Sequence, residues 1–304
     1  MQMTMFLFEG EIIMIEEKKI SVIVPTYNRK SLLKETLDSL SLQSVSKEEF
    51  EVIIIDDGSN DGTNELIDEY SHILDLKYIY QENNGFRVGL ARNKGAKISQ
   101  GSLLIFLDSG IILETKALEK YIERYSSNFE KIAISGNILG FDDFNENEKK
   151  LNSLHLTGLS SDESVKKLLD HNLLDRRYPI FKKYGFDMEN WNAPWILFWS
   201  GHISMRKVDF NELGGFDISF DGWGYEDIDL GIRFFLSGGK IVFDEKIYSI
   251  HLPHKKFKSI LTEGELKTYV ISKKERLYQK NKLPEILEWL DKPTIEVVKR
   301  KQKG

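Results

Sequence analysis

The chain has 304 residues, with 42 Lys and Arg against 48 Asp and Glu for a net charge of −6, and 41% of its residues are hydrophobic. At that length a folded chain buries roughly 75% of the surface it exposes when unfolded, so one large domain, or one domain with an appendage, folds without help. The acidic balance argues against broad nucleic-acid binding, and the absence of cysteine excludes disulfides and thiolate metal sites.

No secretory signal and no apolar run of bilayer length is present, so the expected location is the cytoplasm. The tail Lys299-Arg300-Lys301-Gln302-Lys303 is either solvated or touches an anionic surface, which would place the protein peripheral to a membrane. Residues 1–18 form an N-terminal extension whose apolar patch, MFLFEGEIIMIEEKK, is too short to span a bilayer and too acidic for a signal, with Met14 as a second candidate start. Organised sequence begins at Ile20, where ISVIV stops at Pro25 and is followed by TYNR and the helical spacing of LLKETLDSLSLQ. A second strand, EVIII, runs into Asp56-Asp57-Gly58-Ser59, and Asp61 or Thr63 caps the helix through Tyr70. LKYIYQ at 76–81 is a third strand, and NNGFRVGLARNKGAKISQG gives a turn and a helix. The fourth strand, LLIFL, ends in Asp108, whose carboxylate then stands where open α/β sheets bind ligands. Strands alternating with helices at this spacing predict a parallel, wound sheet.

Further on, ETKALEKYIERYSSN reads as a helix, KIAISGNIL and Ser200 to Arg206 as strands, and KIVFDEKIYSIH as two short strands. The polar segment 140–192 serves as a lid, an acceptor-recognition arm or a surface elaboration. Trp191, Trp195, Phe198 and Trp199 either anchor a core or platform a sugar. In Asp221-Gly222-Trp223-Gly224-Tyr225-Glu226-Asp227-Ile228-Asp229-Leu230 two glycines flank a tryptophan ahead of a helix with acids in its first turn. ILTEGELKTYVISKKERLYQ and PEILEWL carry helical spacing and either pack across the site or mediate a homodimer.

VIVPTYNR, IIIDDGSNDGT, GLARNKGA, FLDSG and GGFDISFDGWGYEDIDLGIR, in this order from Lys19 to His254, resemble family 2 glycosyltransferases of the GT-A fold. The last motif is similar to that of beta-1,4-galactosyltransferases, chondroitin polymerase domains and polypeptide N-acetylgalactosaminyltransferases. The resemblance implies an α/β, Rossmann-like, mostly parallel wound sheet flanked by helices over 19–254. Its nucleotide-binding half would be 19–110 and its acceptor half 111–254 with the insertion 140–192, followed by a helical C-terminal extension, 255–304. It implies an inverting hexosyl transfer from a nucleotide-diphosphate sugar, a UDP-sugar by expectation, to a hydroxyl of a saccharide, peptide or small molecule, in glycan or natural-product biosynthesis.

By the same resemblance Pro25, Tyr27 and Asp57 hold the nucleotide, Tyr27 stacking on uracil and Asp57 accepting its imide N–H, unless Asp56 and Asp57 only cap a turn. Arg92 is the candidate for the diphosphate, and Arg87 is read instead as a surface charge. Asp108 would touch the nucleotide and hold a divalent metal, Mn2+ or Mg2+, that stabilises the leaving diphosphate. The family writes Asp-X-Asp there, whereas this chain has Asp108-Ser109-Gly110, which leaves open a metal completed by histidine and water, a metal-poor mechanism, or a catalytically weakened nucleotide-sugar-binding protein. His251 is the candidate second metal ligand, ahead of His254, and His202 either contacts the donor sugar or is a satisfied buried histidine. Asp227 is the expected general base, Glu226 binds the acceptor and Trp223 packs against its ring.

Overall fold

The computed structural model describes residues 3–8, 11–16, 19–127, 130–141, 147–156, 158–220, 222–254 and 261–298. The basic tail at 299–303 lies outside them. Strands β1 (Met3–Phe8) and β2 (Glu11–Glu16) pair antiparallel as a separate hairpin. The body is one eight-stranded sheet of order β5-β4-β3-β6-β9-β8-β10-β7. Its strands are β3 (Ile20–Thr26), β4 (Phe50–Asp56), β5 (Leu76–Tyr80), β6 (Leu103–Leu107), β7 (Ile111–Leu113), β8 (Ile132–Leu139), β9 (His202–Arg206) and β10 (Lys240–His251).

The expected parallel half is present: β3 lies parallel to β4 and β6, and β4 to β5. Every residue of β4 and β6 is buried, because helices cover both faces and alternation of side chains has no wet side to serve. On one face Val22 and Val24 meet Leu33 and Leu37 of α1 (Lys30–Ser41), Leu66 of α2 (Thr63–Tyr70) and Tyr121 of α4 (Ala117–Ser126). On the other, Ile23 and Phe106 join α3 (Val88–Ile98) and α9 (Glu226–Leu236). Gly95 of α3 lies so close to β3 that an added Cβ would sit 2.5 Å from Ile23 Cγ2, which makes that residue type a requirement of helix-on-strand contact.

The second half of the sheet is mixed. β9 runs antiparallel to β6 and β8, β10 runs parallel to β8, and the short β7 closes the edge against Ser249–His251. The two strands expected in KIVFDEKIYSIH are instead one strand of 12 residues. Its register against β8 shifts between Asp244 and Tyr248, where Lys246 N donates to Asp244 Oδ1 at 3.0 Å, so the polar tripeptide forms a bulge rather than a break.

The described part of 140–192 is helical, with α5 (Glu148–Ser153), α6 (Ser161–Asp170) and α7 (Tyr178–Tyr184). A buried ion pair fixes its second half to the sheet: Arg177 holds Asp175 through two nitrogens, at 2.9 and 2.6 Å, and donates to Gly136 O at 2.6 Å. Trp191, Trp195 and Phe198 are core residues, while the half-buried Trp199 lies over the Arg177 guanidinium at 5.1 Å. α8 (Lys207–Glu212) follows β9. At the C-terminus α10 (Glu263–Asn281), α11 (Pro284–Asp291) and α12 (Thr294–Val297) dock on the same core through Leu277, Ile286, Trp289 and Val297.

Candidate active site

The carboxyl ends of β3, β4 and β6 carry the residues expected to hold a nucleotide. Beyond β3, Asn28 adopts φ +49 and is tied to the loop after β4 on both sides: its N–H donates to Ser59 Oγ at 2.8 Å and its Oδ1 accepts from Asn60 N at 2.8 Å. That stitching brings the 47%-exposed ring of Tyr27 and the carboxylate of Asp57 to neighbouring loops. Asp57 Oδ1 accepts from Gln81 Nε2 and from Arg87 at 2.9 Å, so Arg87 is a partner of the expected base-reading acid and not a free surface charge. Pro25, half-buried, offers its carbonyl to Ser109 Oγ at 2.7 Å, which joins the end of β3 to the Asp108-Ser109-Gly110 turn.

Arg92 is placed differently from expectation. It is 2% exposed, and both arms are engaged by carboxylates: Asp108 Oδ1 at 2.7 Å and Glu226 Oε1 at 2.9 Å. Burial opposes its charge, but Asp108 and Glu226 outweigh that and raise its pKa. This enclosed guanidinium gives its two terminal nitrogens to the two acids, while its Nε has no hydrogen-bond partner among the described residues. Gly89 packs beside them, where an added Cβ would lie 3.3 Å from Phe216 Cβ and 3.6 Å from Glu226 Cγ.

Glu226 and Asp227 open α9. Burial and then the neighbouring Asp227 charge push the Glu226 carboxyl up, to about 7, against the pull of Arg92. Glu226 is 4% exposed and its Oε2 has no hydrogen-bond partner among the described residues. Asp227 is half-buried; burial raises it too, and the N–H of Ser200, which donates to its Oδ2 at 3.0 Å, opposes the rise. The next residue, Gly201, accepts from Asp108 N at 3.0 Å, and its missing Cβ would stand 3.4 Å from Asp108 Oδ2. Asp108 and Asp227 therefore flank one dipeptide, Ser200-Gly201, although 119 positions separate them in the chain (227 − 108).

The loop before α9 is held in left-handed geometry, with φ +73 at Gly222, +79 at Gly224 and +77 at Tyr225. For Tyr225 that conformation costs about 1–2 kcal/mol; its ring lies against Trp289, with centroids 5.8 Å apart. Gly222 N donates to Phe86 O at 3.2 Å and Trp223 O accepts from Tyr269 of α10 at 2.6 Å, so the segment before α3 and the C-terminal helix both fix the loop carrying Trp223.

For a divalent ion the expected donors are Asp108 and His251. The Asp108 side chain keeps 39% of its surface open, and His251, buried, pairs with Ile111 at the end of β10, where Leu252 N donates to Gly110 O at 2.9 Å. No cluster of three His, Asp or Glu occurs among the described residues. Two protein donors suit an ion that keeps water and shares the diphosphate oxygens, the usual manner of Mg2+ and not that of a preformed cage. Gly110 has φ +95 and an added Cβ would lie 3.3 Å from Leu32, so the backbone itself disfavours the second acid there. His202 is enclosed, bonded to Tyr121 Oη at 3.0 Å and Ser249 Oγ at 2.9 Å, and burial followed by Arg177 lowers its pKa to about 3. It is the satisfied neutral histidine of the two readings.

Sequence reasoning missed Ser200, Tyr269 and Arg29. Half-buried at the start of α1, Arg29 feels burial lower its pKa and the Asp108 charge raise it. Its place directly after Tyr27-Asn28 was the available signal.

Residues 21–214 match the profile of glycosyl transferase family 2, and 181–255 match the N-terminal domain of galactosyltransferase. The chain is 35% identical over 238 residues to the validoxylamine A glucosyltransferase of Streptomyces hygroscopicus subsp. jinggangensis, covering 78% of this chain and 56% of that protein. It is 27% identical over 226 residues to the chondroitin synthase of Pasteurella multocida, covering 72% of this chain and 23% of the relative. Among solved structures, Staphylococcus aureus TarS 1-349 in complex with UDP-GlcNAc superposes with TM-score 0.62 at 19% identity, over 90% of this chain and 71% of that one. A Pyrobaculum calidifontis mannosyltransferase in complex with GDP-Man and Mn2+ gives TM-score 0.57 at 15% identity, over 93% and 69%. The chain thus spans about half the length of the first of these relatives, and with its matched profile, motif order and wound sheet it belongs to glycosyl transferase family 2, with the GT-A fold.

Proposed function

We propose that the chain transfers a hexosyl group from a UDP-sugar to a hydroxyl of a saccharide, peptide or small-molecule acceptor, with inversion at the anomeric carbon. The observation that carries this is the meeting of Asp108 and Asp227 at Ser200-Gly201. Asp57 and Tyr27 hold the uracil, and Arg29, not Arg92, is the cation left to face the diphosphate. The acceptor oxygen attacks the anomeric carbon while its proton passes to the Asp227 carboxylate, and the bond to the diphosphate breaks on the opposite face with its electron pair going to the leaving oxygen. Glu226, gripped by Arg92, fixes the acceptor side, and Trp223 covers the acceptor ring. A divalent ion, Mn2+ or Mg2+, would be held by Asp108 and His251 and would offset the charge of the diphosphate.

The names of the relatives support a small-molecule or glycan acceptor, and the UDP-GlcNAc complex of TarS supports a uridine donor. A second reading, a weakened nucleotide-sugar-binding protein, draws on Gly110 in place of the family's second acid. Incubation with a panel of nucleotide sugars and polyol acceptors, with and without Mn2+, separates the two by released nucleoside diphosphate. Turnover that disappears in Asp227→Asn while UDP affinity persists supports transfer; UDP binding without turnover on any pair supports the second reading.

A further inference from the structure

The C-terminal helices α10 and α11 lie outside both matched profiles, yet they hold the segment carrying Glu226 and Asp227 before and after that pair. Ahead of the pair, Tyr269 Oη of α10 donates to Trp223 O at 2.6 Å, and the Trp289 ring of α11 lies against Tyr225. Behind it, Lys280 Nζ and Asn281 Nδ2, at the end of α10, donate to Asp229 at 2.8 and 3.3 Å. Lys280 also reaches Asp217 at 2.6 Å, and Arg233 joins the cluster by donating to Asp229 and to Gly215 O, each at 2.7 Å. Resting on the transferase reading above, we infer that α10 and α11 are the positioning element of the transfer site, in which Tyr269 and Lys280 set Glu226 and Asp227 through the backbone on either side of them.

Two features of that segment require such a hold. A tyrosine at φ +77 persists only where its surroundings over-determine it, and Tyr225 stands in that geometry directly before Glu226. Gly222 and Gly224 add backbone freedom around Trp223, so the shape of the turn rests on groups outside it: Phe86 O on one side, Tyr269 and Trp289 on the other. The second feature is Asp229, fully buried, whose charge has to be met where it stands. Two positions along a helix turn a side chain by about 200°, which sets Asp229 toward α10 while Asp227 faces Ser200. The opening turn of α9 is thereby held between Ser200 and Arg92 on the sheet side and Lys280 on the C-terminal side. A catalytic group displaced by about 1 Å can lose roughly 10²-fold in rate, so these bonds act on transfer without touching a substrate.

The test uses the full chain with UDP as ligand, UDP-glucose and UDP-GlcNAc as donors, and D-glucose and myo-inositol as acceptors, each variant being read well below its own Tm. Tyr269→Phe deletes one hydroxyl and Lys280→Met one charge. Both should leave the Kd for UDP within about twofold and speed amide exchange at 222–229 by about fivefold or more, the value of one hydrogen bond, with β3, β4 and β6 unchanged. With a donor that is turned over, kcat should fall about tenfold or more at unchanged donor KM, and Lys280→Arg, which keeps the charge, should restore it. A merely structural contact would lower Tm and leave kcat per folded molecule at the wild-type value. Lys267→Ala, exposed on the same helix, should match wild type throughout. Exchange at 222–229 as slow in both variants as in wild type, or wild-type kcat in both, overturns the positioning role. Tyr269→Phe alone decides the matter if Lys280→Met does not fold. Absence of UDP binding and of turnover in wild type overturns the transferase reading instead, and the exchange rates then decide by themselves whether α10 holds the loop.

Discussion

Replacement of Arg92 by methionine tests the arrangement at its centre. The substitution keeps much of the side-chain volume and removes the charge that Asp108 and Glu226 share. Breaking a buried pair by deleting one partner costs about 3–5 kcal/mol, but Asp108 keeps 39% of its surface in solvent, so its share is largely screened. Glu226 is 4% exposed and bears most of the penalty, which it limits by taking up a proton. The expected loss is therefore about 2–4 kcal/mol, or roughly 4–8 °C in Tm at about 2 °C per kcal/mol for a chain of this size. The pH dependence has a definite sign. Glu226 already titrates above its ordinary 4.5, at about 7, so its contribution to stability is complete below 4.5 and is lost as pH rises through the folded value. Without Arg92 that folded value rises further and more is lost, so the deficit of the variant should widen from pH 5 to pH 8. Thermal unfolding across that range reads both numbers. A Tm loss under about 2 °C, or one that is flat with pH, would refute the assignment of Arg92 as the cation holding Glu226 in place.

Asp227→Asn should lower sugar transfer by about 10²–10⁴-fold at unchanged UDP affinity, measured by diphosphate release and calorimetry. Because burial raises both Glu226 and Asp227, the pH profile of kcat/KM should carry an acid limb above the usual carboxylate range, rate rising with pH as the base ionises; a limb near pH 4 would contradict it. Asp57→Asn should raise the Kd for UDP about tenfold or more through loss of a charge-assisted bond, with a smaller change for a nucleotide whose base lacks the imide hydrogen. Gly110→Asp should destabilise the fold by at least about 1–2 kcal/mol and leave the affinity for Mn2+ unimproved in a titration, since φ +95 and the contact with Leu32 oppose the new side chain.

The strand ends and the acids beside them could be read from the chain because each is a local pattern: an apolar run stopping at Asp57 or Asp108, or two acids opening a helix at Glu226 and Asp227. The partners of those acids could not. Arg92 lies 16 residues from Asp108 and 134 from Glu226, and its motif fixed the helix it stands on without saying which charges face that helix. Tyr269 and Trp223 are 46 residues apart, across a stretch whose helical spacing gave a helix but no docking direction. The strand β10 was read as two because Asp244-Glu245-Lys246 is polar, and only pairing with β8 on both sides of that tripeptide carries the strand through it. The buried Asp175–Arg177 pair escaped notice for the same reason, two charges in a polar segment being the pattern of solvated surface until Gly136 and Ser135 are seen beside them.

The turn at the end of β6 carries one acid, Asp108, where the resemblance to the family expects two. Two carboxylates on that turn would repel an incoming diphosphate unless a cation intervened. Here the turn carries one, its backbone is fixed by Ser109 Oγ donating to Pro25 O and by Gly110 N donating to Thr36 Oγ1 at 2.9 Å, and Arg92 already neutralises it from below. Arg29, at the start of α1, adds a second guanidinium whose charge interacts with that of Asp108. Arg92 is shared between Asp108 and Glu226, so the two arginines offset both acids together, and under the proposed function a divalent ion would add further positive charge beside the diphosphate. Under the proposed function a bound ion would be shared between the diphosphate oxygens, Asp108 and His251, while Gly110 keeps a backbone that only glycine adopts without strain.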